Sequence, residues 1–332
     1  MFAAIIAWWN ALMAHLELAY FVMLLRSFDP GAVLSCAMET PAITPPPATA
    51  AAMPDAPERF NAWAEVRRDI AYIDRPGSDP ALTSLDVYTP TKDPDAGLRP
   101  ILVFVHGGAW AIGDKANVQR KPSWAAANGW VFVSINYRLS PDVMHPEHAR
   151  DAAAAIAFVR DHAERWGGDP GKIAIMGHSA GAHLAGIVAA EESLLGEHTM
   201  TTDQLVGVVL LDGAGYNLPG RMATLPPTGL TTRWYRDAFG DDPNLWVQGS
   251  PTLQAQADDR LAPLFCVHAG DRAESRVEGE GLVKAWQGTG ARGTLYHAPN
   301  KNHSGINRQL GRAGDADTNA IEAFLRGVFA DG

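Results

Sequence analysis

A serine flanked by glycines is the residue in this sequence best placed to do chemistry. Ser179 lies in Gly177-His178-Ser179-Ala180-Gly181, between a short apolar run that ends at Met176 and an alanine-rich stretch from Ala180 to Ala190. This pattern predicts a strand, a sharp turn and a helix, with the serine hydroxyl pushed outward at the turn. Because a serine hydroxyl is a weak nucleophile without a neighbouring base, the predicted chemistry is acyl transfer assisted by other residues.

Backbone N–H groups that would hold the developing oxyanion are expected after an earlier strand. The segment His106-Gly107-Gly108-Ala109-Trp110 follows directly on the apolar run Ile101–Val105. Small residues at such a position let backbone N–H groups turn toward a tetrahedral intermediate, and a further donor is expected one residue after the nucleophile. The candidate oxyanion donors are therefore the N–H groups of Gly107, Gly108, Ala109 and Ala180.

The base that accepts the serine proton is expected to be a histidine that follows Ser179 in the chain and lies near the carboxyl ends of the strands. His303 fits best, because it lies in the polar stretch Pro299–Gly305 between the last predicted strand and the closing helix. The other histidines after Ser179 are less favoured. His183 lies on the predicted helix after the serine, His268 lies at a strand end and His297 lies within the last predicted strand. His198 is the fourth alternative.

An acidic residue should orient this histidine from the loop after the penultimate strand. Asp271 follows Val267-His268-Ala269-Gly270 at that place, about 30 residues before His303 by the printed numbering. Asp212 is the second candidate, because it ends the preceding predicted strand and could reach the same histidine. Glu274 is a third. Each carboxylate has an alternative role as a helix N-cap or loop anchor.

Composition narrows the class of protein. The 332 residues are 47% hydrophobic and 19% charged, enough for one large domain or two ordinary ones. The net charge of −10 argues against a nucleic-acid partner. The only cysteines, Cys36 and Cys266, form neither a CxxC motif nor a cysteine–histidine cluster. The cysteines therefore suggest neither a disulfide framework nor a zinc site.

The first part of the chain is distinct from the rest. Residues 1–37 begin with a nearly uncharged apolar stretch, Met1 to Leu25, with no cation before Arg26. A signal or membrane anchor is one interpretation, and an extension upstream of a start at Met38 or Met53 is the other. Membrane contact is expected only through residues 1–25, and localisation as exported, anchored or cytoplasmic depends on them. Residues 38–57 are rich in proline and alanine and read as a linker before a domain at 58–332.

Apolar runs alternate with helical patterns through this domain. Such alternation predicts an α/β fold with a mostly parallel sheet of eight strands and helices on both faces. The predicted strands are Ile70–Ile73, Leu82–Tyr88, Ile101–Val105, Trp130–Ile135, Ile173–Met176, Leu205–Leu211, Pro263–His268 and Gly293–His297. The predicted helices are Ala149–Trp166, Ala180–Ala190, Ser275–Trp286 and Asp315–Phe329.

A long segment, Asp212 to Asp258, interrupts this alternation. It contains five large aromatic residues among glycines and prolines. One interpretation is a cap-like excursion that shapes an acyl or alcohol pocket, and the other is a surface subdomain that packs its own aromatic side chains.

Three motifs together resemble a known superfamily. His106-Gly107-Gly108-Ala109-Trp110, Tyr137-Arg138-Leu139-Ser140-Pro141 and Gly177-His178-Ser179-Ala180-Gly181-Ala182-His183-Leu184 are similar to those of the α/β-hydrolases. The match is to the carboxylesterase branch related to hormone-sensitive lipase, near the kynurenine formamidases and the feruloyl and acetylxylan esterases. It covers roughly Asp69 to Phe329.

The resemblance implies an α/β-hydrolase fold and a serine carboxylesterase that needs no cofactor or metal. It implies Ser179 as nucleophile, Asp271 as acid and His303 as base, with the oxyanion donors given above. The expected substrate is a small-molecule ester of a short or aryl acyl group, cleaved through an acyl-enzyme. The alternative is an arylformamidase that cleaves an N-formyl amide.

Overall fold

A nine-stranded sheet organises the part of the chain that the structure describes. The structure is a computed structural model that describes residues 58–59, 61, 64–91, 97–255 and 260–331. The strand order across the sheet is β1-β2-β3-β5-β4-β6-β7-β8-β9. The strands are β1 (Glu58–Arg59), β2 (Ala64–Ala71), β3 (Ser84–Pro90), β4 (Arg99–Val105), β5 (Val131–Ile135), β6 (Gly168–His178), β7 (Leu205–Leu211), β8 (Leu264–Ala269) and β9 (Gly293–Ala298).

The strand pairing places the carboxyl ends of six strands along one edge. Strands β1, β2, β3 and β5 pair antiparallel in that order, whereas β5, β4, β6, β7, β8 and β9 pair in parallel. Val105 at the end of β4 lies beside Ile135 and Gly177. The predicted mostly parallel sheet is confirmed, and the two-residue β1 is additional to the eight predicted strands. Loops that leave this edge can converge on one site.

Eleven α-helices accompany these strands in the described residues. The two long helices α2 and α9 and the closing helix α11 have 16 residues each. The helices are α1 (Lys121–Ala127), α2 (Glu147–His162), α3 (Ala180–Ala190), α4 (Glu192–Gly196), α5 (Leu218–Thr224), α6 (Leu230–Phe239), α7 (Pro243–Gln248), α8 (Pro251–Gln254), α9 (Ala273–Gly288), α10 (His303–Arg308) and α11 (Ala316–Asp331).

The sheet carries an apolar core on each face. Along β4, Ile101, Val103 and Val105 belong to one buried cluster, which also holds side chains of α2, α3 and α9. Leu102 and Phe104 point to the other cluster, with side chains of α1, α10 and α11. Successive strand residues face opposite sides of a sheet, so a strand covered on both faces needs a continuous apolar run. The sequence of β4 meets this requirement.

Helix α1 is one of several short helices that the apolar periodicity did not predict. It is only seven residues long, and Pro122 lies in its first turn, where a missing N–H costs nothing. Trp124 and Ala125 face the core, but two contacts are too few to produce a helical pattern in the sequence.

The predicted segments 1–37 and 38–57 lie outside the described residues. Within the described ranges, none of the helices combines the length and the apolar character needed to cross a membrane.

Lys121, at the start of α1, is a fully buried lysine. Its ammonium bonds to Gln119 Oε1 and to the backbone carbonyl of Asn307, each at 3.1 Å, and lies 4.5 Å from the centre of the Phe104 ring. In the described part of the chain it has no ion pair with a carboxylate. Burial lowers the pKa of Lys121 from 10.5 to about 7, because the charged form loses its hydration.

This lowered pKa makes folding release a proton between about pH 7 and 10.5. The unfolded chain binds more protons there, so this group's contribution to stability improves as the pH rises through that window. We therefore expect the free energy of unfolding of Lys121→Met to exceed that of the wild type most at or below pH 7. The difference in free energy of unfolding should shrink by ~1.4 kcal/mol per pH unit toward pH 10. Urea denaturation at several pH values measures it, with Lys284→Met on an exposed lysine as the control. A pH-independent difference would contradict the interpretation.

Candidate active site

Ser179 occupies the sharp turn between β6 and α3. Its backbone has φ 56° and ψ −121°, a conformation that residues other than glycine rarely adopt. The strand ends at His178 and the helix begins at Ala180, so the turn consists of the serine alone. The hydroxyl therefore projects from the carboxyl edge of the sheet, as expected for a nucleophile at a strand-to-helix turn.

The glycines around the serine allow the backbone of α3 to lie unusually close to the ends of β6 and β4. A Cβ atom on Gly177 would lie 2.0 Å from the carbonyl oxygen of Gly181, and one on Gly181 would lie 2.2 Å from that of Val105. Both distances are far below van der Waals contact. Glycine is required at these positions because α3 packs directly on the ends of β6 and β4.

We expect Gly181→Ala to destabilise the fold by about 3 kcal/mol, because its methyl group would press on backbone that cannot move aside. Thermal unfolding should show a clear drop in Tm. Gly196→Ala is the matched control: Gly196 is also helical, and an added Cβ there meets nothing within 4 Å. Equal Tm values for the two variants would contradict this account of the turn.

His303 lies within hydrogen-bonding distance of the serine. Its Nε2 accepts from the Ser179 hydroxyl at 3.0 Å. The imidazole is carried by the first residue of α10, whose N-cap is Asn302. The described side chain of His303 remains 37% exposed, so the ring can exchange protons with solvent. The predicted serine–histidine pair is thus brought together, although His303 starts a short helix rather than lying in a plain loop.

His178 holds the segment that carries the imidazole. Its Nε2 donates to the backbone carbonyl of His303 at 2.8 Å, and the two rings are 4.7 Å apart. Burial lowers the pKa of His178 well below its usual value, and the nearby His303 lowers it further. His178 therefore acts as a neutral donor that ties α10 to the end of β6, a role that sequence reasoning did not identify.

The carboxylate beside the imidazole is Asp212. His303 Nδ1 donates to Asp212 Oδ2 at 2.7 Å, which completes a chain of hydrogen bonds from serine to histidine to aspartate. Asp212 directly follows β7 and is fully buried, with a φ of 47°. The second candidate of the sequence analysis therefore takes the position that was expected for the first.

Asp271, which the sequence predicted as the acid, is not at the imidazole, and the structure corrects that assignment. The side chain of Asp271 is exposed. The loop after β8 turns at Gly270, which has φ +56°, and the next residue to reach the site is Arg272. Strands β7 and β8 end side by side, so the loop after either strand could supply the acid. The path of the loop after β8 decides which aspartate reaches the imidazole. Glu274, the third candidate, bonds to Arg272.

Asp212 is surrounded by donors. Its Oδ1 accepts from the backbone N–H of Ala269 at 3.0 Å and from the hydroxyl of Ser275 at 2.6 Å, and its Oδ2 accepts from Arg272. Burial by itself would raise the pKa of Asp212. The hydrogen bond from His303 and the charge of Arg272 outweigh it, so the pKa lies well below the usual value. Asp212 is therefore a carboxylate at neutral pH, able to orient the imidazole.

The predicted oxyanion segment lies against the turn at Ser179. A Cβ on Gly107 would be 2.7 Å from the carbonyl oxygen of His178 and 3.0 Å from the Cβ of Ser179. Gly108 has φ +131°, and Ala109 also has a positive φ of 52°. Ala180 opens α3, so its N–H has no partner within the helix. The structure thus places Gly107 and Ala180 beside Ser179, and Gly108 and Ala109 follow Gly107 directly in the chain.

The sequence is similar to those of known esterases. A family model described as BD-FAE matches residues 85–207. The isoprenylcysteine alpha-carbonyl methylesterase ICME of Arabidopsis thaliana is 31% identical over 256 residues, which cover 73% of this chain and 57% of that protein. Esterase LipC of Mycobacterium tuberculosis is 38% identical over 164 residues, 47% of this chain and 40% of that protein. The chain spans about half the length of these curated relatives.

The fold has a close counterpart among solved structures. A truncated carbohydrate esterase from gut microbiota superposes with a TM-score of 0.68 at 19% identity, over 83% of this chain and 100% of that one. This chain has the α/β-hydrolase fold, and its sequence is similar to those of known esterases.

The excursion after Asp212 packs on the predicted oxyanion segment. Its described part contains the four short helices α5 to α8. From α6, Tyr235 and Phe239 contact the ring of Trp110 edge-on, at 5.2 and 4.9 Å between ring centres. His183 of α3 packs on Trp110 as well, and its Nε2 donates to the carbonyl of Gly249. The excursion's aromatic residues therefore support the segment that carries the predicted oxyanion donors.

The remaining histidine candidates are engaged elsewhere. His268 and His297 stack on each other at 4.4 Å, and His198 lies away from Ser179 beside Arg160. Across the described ranges, no group of three histidine, cysteine or acidic side chains is arranged to hold a metal ion.

Proposed function

We propose that this chain is a serine carboxylester hydrolase whose catalytic residues are Ser179, His303 and Asp212. The observation that carries the proposal is the continuous hydrogen-bonded chain Ser179 Oγ–His303 Nε2 and His303 Nδ1–Asp212 Oδ2, at 3.0 and 2.7 Å. A nucleophile, a base and an acid in this geometry meet the requirements of acyl transfer. We place the activity in residues 58–332.

The first half of the cycle forms an acyl-enzyme. Ser179 Oγ attacks the ester carbonyl carbon while His303 Nε2 takes its proton. The tetrahedral oxyanion is held by N–H groups of Ala180 and of the Gly107, Gly108 and Ala109 segment. Asp212, already ionised, stabilises the imidazolium and keeps the other nitrogen protonated. The imidazolium then donates its proton to the leaving alcohol as the carbon–oxygen bond breaks.

The second half regenerates the enzyme. Water gives a proton to His303 Nε2 as its oxygen attacks the acyl carbon, and the same donors hold the second oxyanion. When this intermediate collapses, Ser179 leaves and recovers its proton from the imidazolium, and the carboxylic acid is released. Every proton transfer uses one imidazole nitrogen, which is why its distance to the serine oxygen is decisive.

We propose small-molecule esters of short or aryl acyl groups as substrates. The similarity to a methylesterase and to other esterases supports ester rather than amide cleavage. The relatives named above are esterases, and none of them is named as a formamidase. The test therefore compares ester hydrolysis with cleavage of an N-formyl amide.

Two measurements test the proposal. Nitrophenyl acetate and nitrophenyl butyrate should be hydrolysed with a kcat/KM far above that for N-formylkynurenine. A fluorophosphonate should label the protein once, with the adduct located at Ser179 by peptide mass spectrometry. Preferential cleavage of N-formylkynurenine would favour the formamidase, and a native protein that resists labelling at Ser179 would rule out a serine hydrolase.

A further inference from the structure

Arg272 lies between the two acidic side chains that the sequence offered as alternatives to Asp271. Its Nη1 donates to Asp212 Oδ2, and its Nε and Nη2 donate to Glu274 Oε1 at 3.3 and 3.1 Å. The Arg272 side chain is 29% exposed, whereas that of Asp212 is fully buried. An arginine thus stands where the loop after β8 was predicted to present an acid.

Arg272 and His303 both donate to the same oxygen of Asp212. Oδ2 accepts from Arg272 and also from His303 Nδ1, and the two donor nitrogens are in direct contact. A permanent positive charge therefore lies immediately beside the imidazole. Any protonation of His303 Nε2 must place a second positive charge next to the first.

Other charged and titratable groups also face the imidazole from the elements around it. Asp212 after β7 favours the imidazolium. Burial keeps His178 at the end of β6 neutral, because it lowers the pKa of that ring well below its usual value. Lys121 of α1 reaches the carbonyl of Asn307 in α10 and is farther away. From the start of α9, Glu274 offsets part of the arginine charge, and the Ser275 hydroxyl donates to Asp212.

We propose that Arg272 is a positioning residue that opposes protonation of the His303 imidazole through the positive charge it places beside the ring. The proposal rests on the proposed function, since it concerns the base of that reaction. Arg272 opposes protonation by charge repulsion and occupies one lone pair of the oxygen that would otherwise stabilise the imidazolium fully. Glu274 sets the strength of this effect, because it competes for the same guanidinium.

The test is the acid limb of the pH profile of kcat/KM, which reports protonation of the base in the free enzyme. Arg272→Met should move the limb upward by about one pH unit, because the repelling charge is gone. Arg272→Lys keeps a charge and should restore most of the wild-type position. Glu274→Gln should move the limb the other way, downward by about 0.5 pH unit, because the arginine charge is no longer offset.

Opposite shifts from the two neighbouring substitutions are a result that loss of packing would not produce. The proposal is overturned if the Arg272→Met limb stays at the wild-type pH, or if both variants shift it in the same direction. Should Arg272→Met fail to fold, the direction of the Glu274→Gln shift decides alone.

An NMR titration of the His303 ring gives the same comparison without turnover. The midpoint should rise in Arg272→Met and fall in Glu274→Gln. Failure of the proposed function would appear differently, as a wild-type protein that neither hydrolyses nitrophenyl esters nor accepts a fluorophosphonate at Ser179. The titration still tests Arg272 in that case.

Discussion

Replacing Ser179 with alanine is expected to remove ester hydrolysis almost completely while leaving the fold intact. Loss of a triad serine lowers kcat by about 10⁶ in a comparable enzyme, because no other group at the site can form the acyl-enzyme. The hydroxyl's described hydrogen bond is to His303, so its removal creates no large cavity. Initial rates with nitrophenyl butyrate measure the loss, and a thermal melt verifies the fold.

Ser193→Ala provides the matched control for this substitution. Ser193 is exposed on α4, which begins beyond the end of α3 that lies opposite the β6 turn, and it should keep the wild-type rate. Fluorophosphonate labelling should vanish in Ser179→Ala and persist in Ser193→Ala. Near wild-type turnover in Ser179→Ala would exclude this serine as the nucleophile.

Substituting the two competing aspartates should separate them by orders of magnitude. Asp212→Asn is expected to lower kcat by about 10⁴, because an amide cannot stabilise the imidazolium and would favour the wrong tautomer. Asp271→Asn should leave kcat/KM within about threefold of the wild type, since its side chain is exposed. Steady-state kinetics of the two variants on one ester measures both effects.

Replacing Asp212 also changes how the stability of the protein depends on pH in acid. The pKa of Asp212 is lower in the folded protein than the ordinary value of 3.8, so its contribution is present above that value. It is lost as the pH falls toward the folded pKa. Asp212→Asn should therefore be less stable than the wild type at pH 7, and the difference should narrow below pH 4. A large kinetic loss in Asp271→Asn, with Asp212→Asn active, would restore the original sequence assignment.

Elements with a strong local pattern were predictable. Strand β7 and helix α3 have the bounds expected from the sequence, Leu205–Leu211 and Ala180–Ala190. A buried parallel strand requires an uninterrupted apolar run, and a helix in a tightly packed site requires small residues. The serine turn was equally readable, because its glycines are needed for contacts shorter than a methyl group allows.

The identity of the acid was not readable in this way. Asp212 and Asp271 both follow a strand that ends at the same edge of the sheet, so order along the chain places each near His303. The choice depends on the loop after β8, where Gly270 turns Asp271 to solvent and Arg272 inward. No local pattern encodes the direction of a side chain at such a turn.

Local residue pattern therefore specified the central strands, the long helices and the turn at Ser179, because each depends on neighbours in the chain. Tertiary structure alone selected the partners of His303, since Asp212, Arg272 and His178 come from three different strand ends. Their side chains meet only after the parallel strands have aligned, and the balance of charge around the imidazole arises from that meeting.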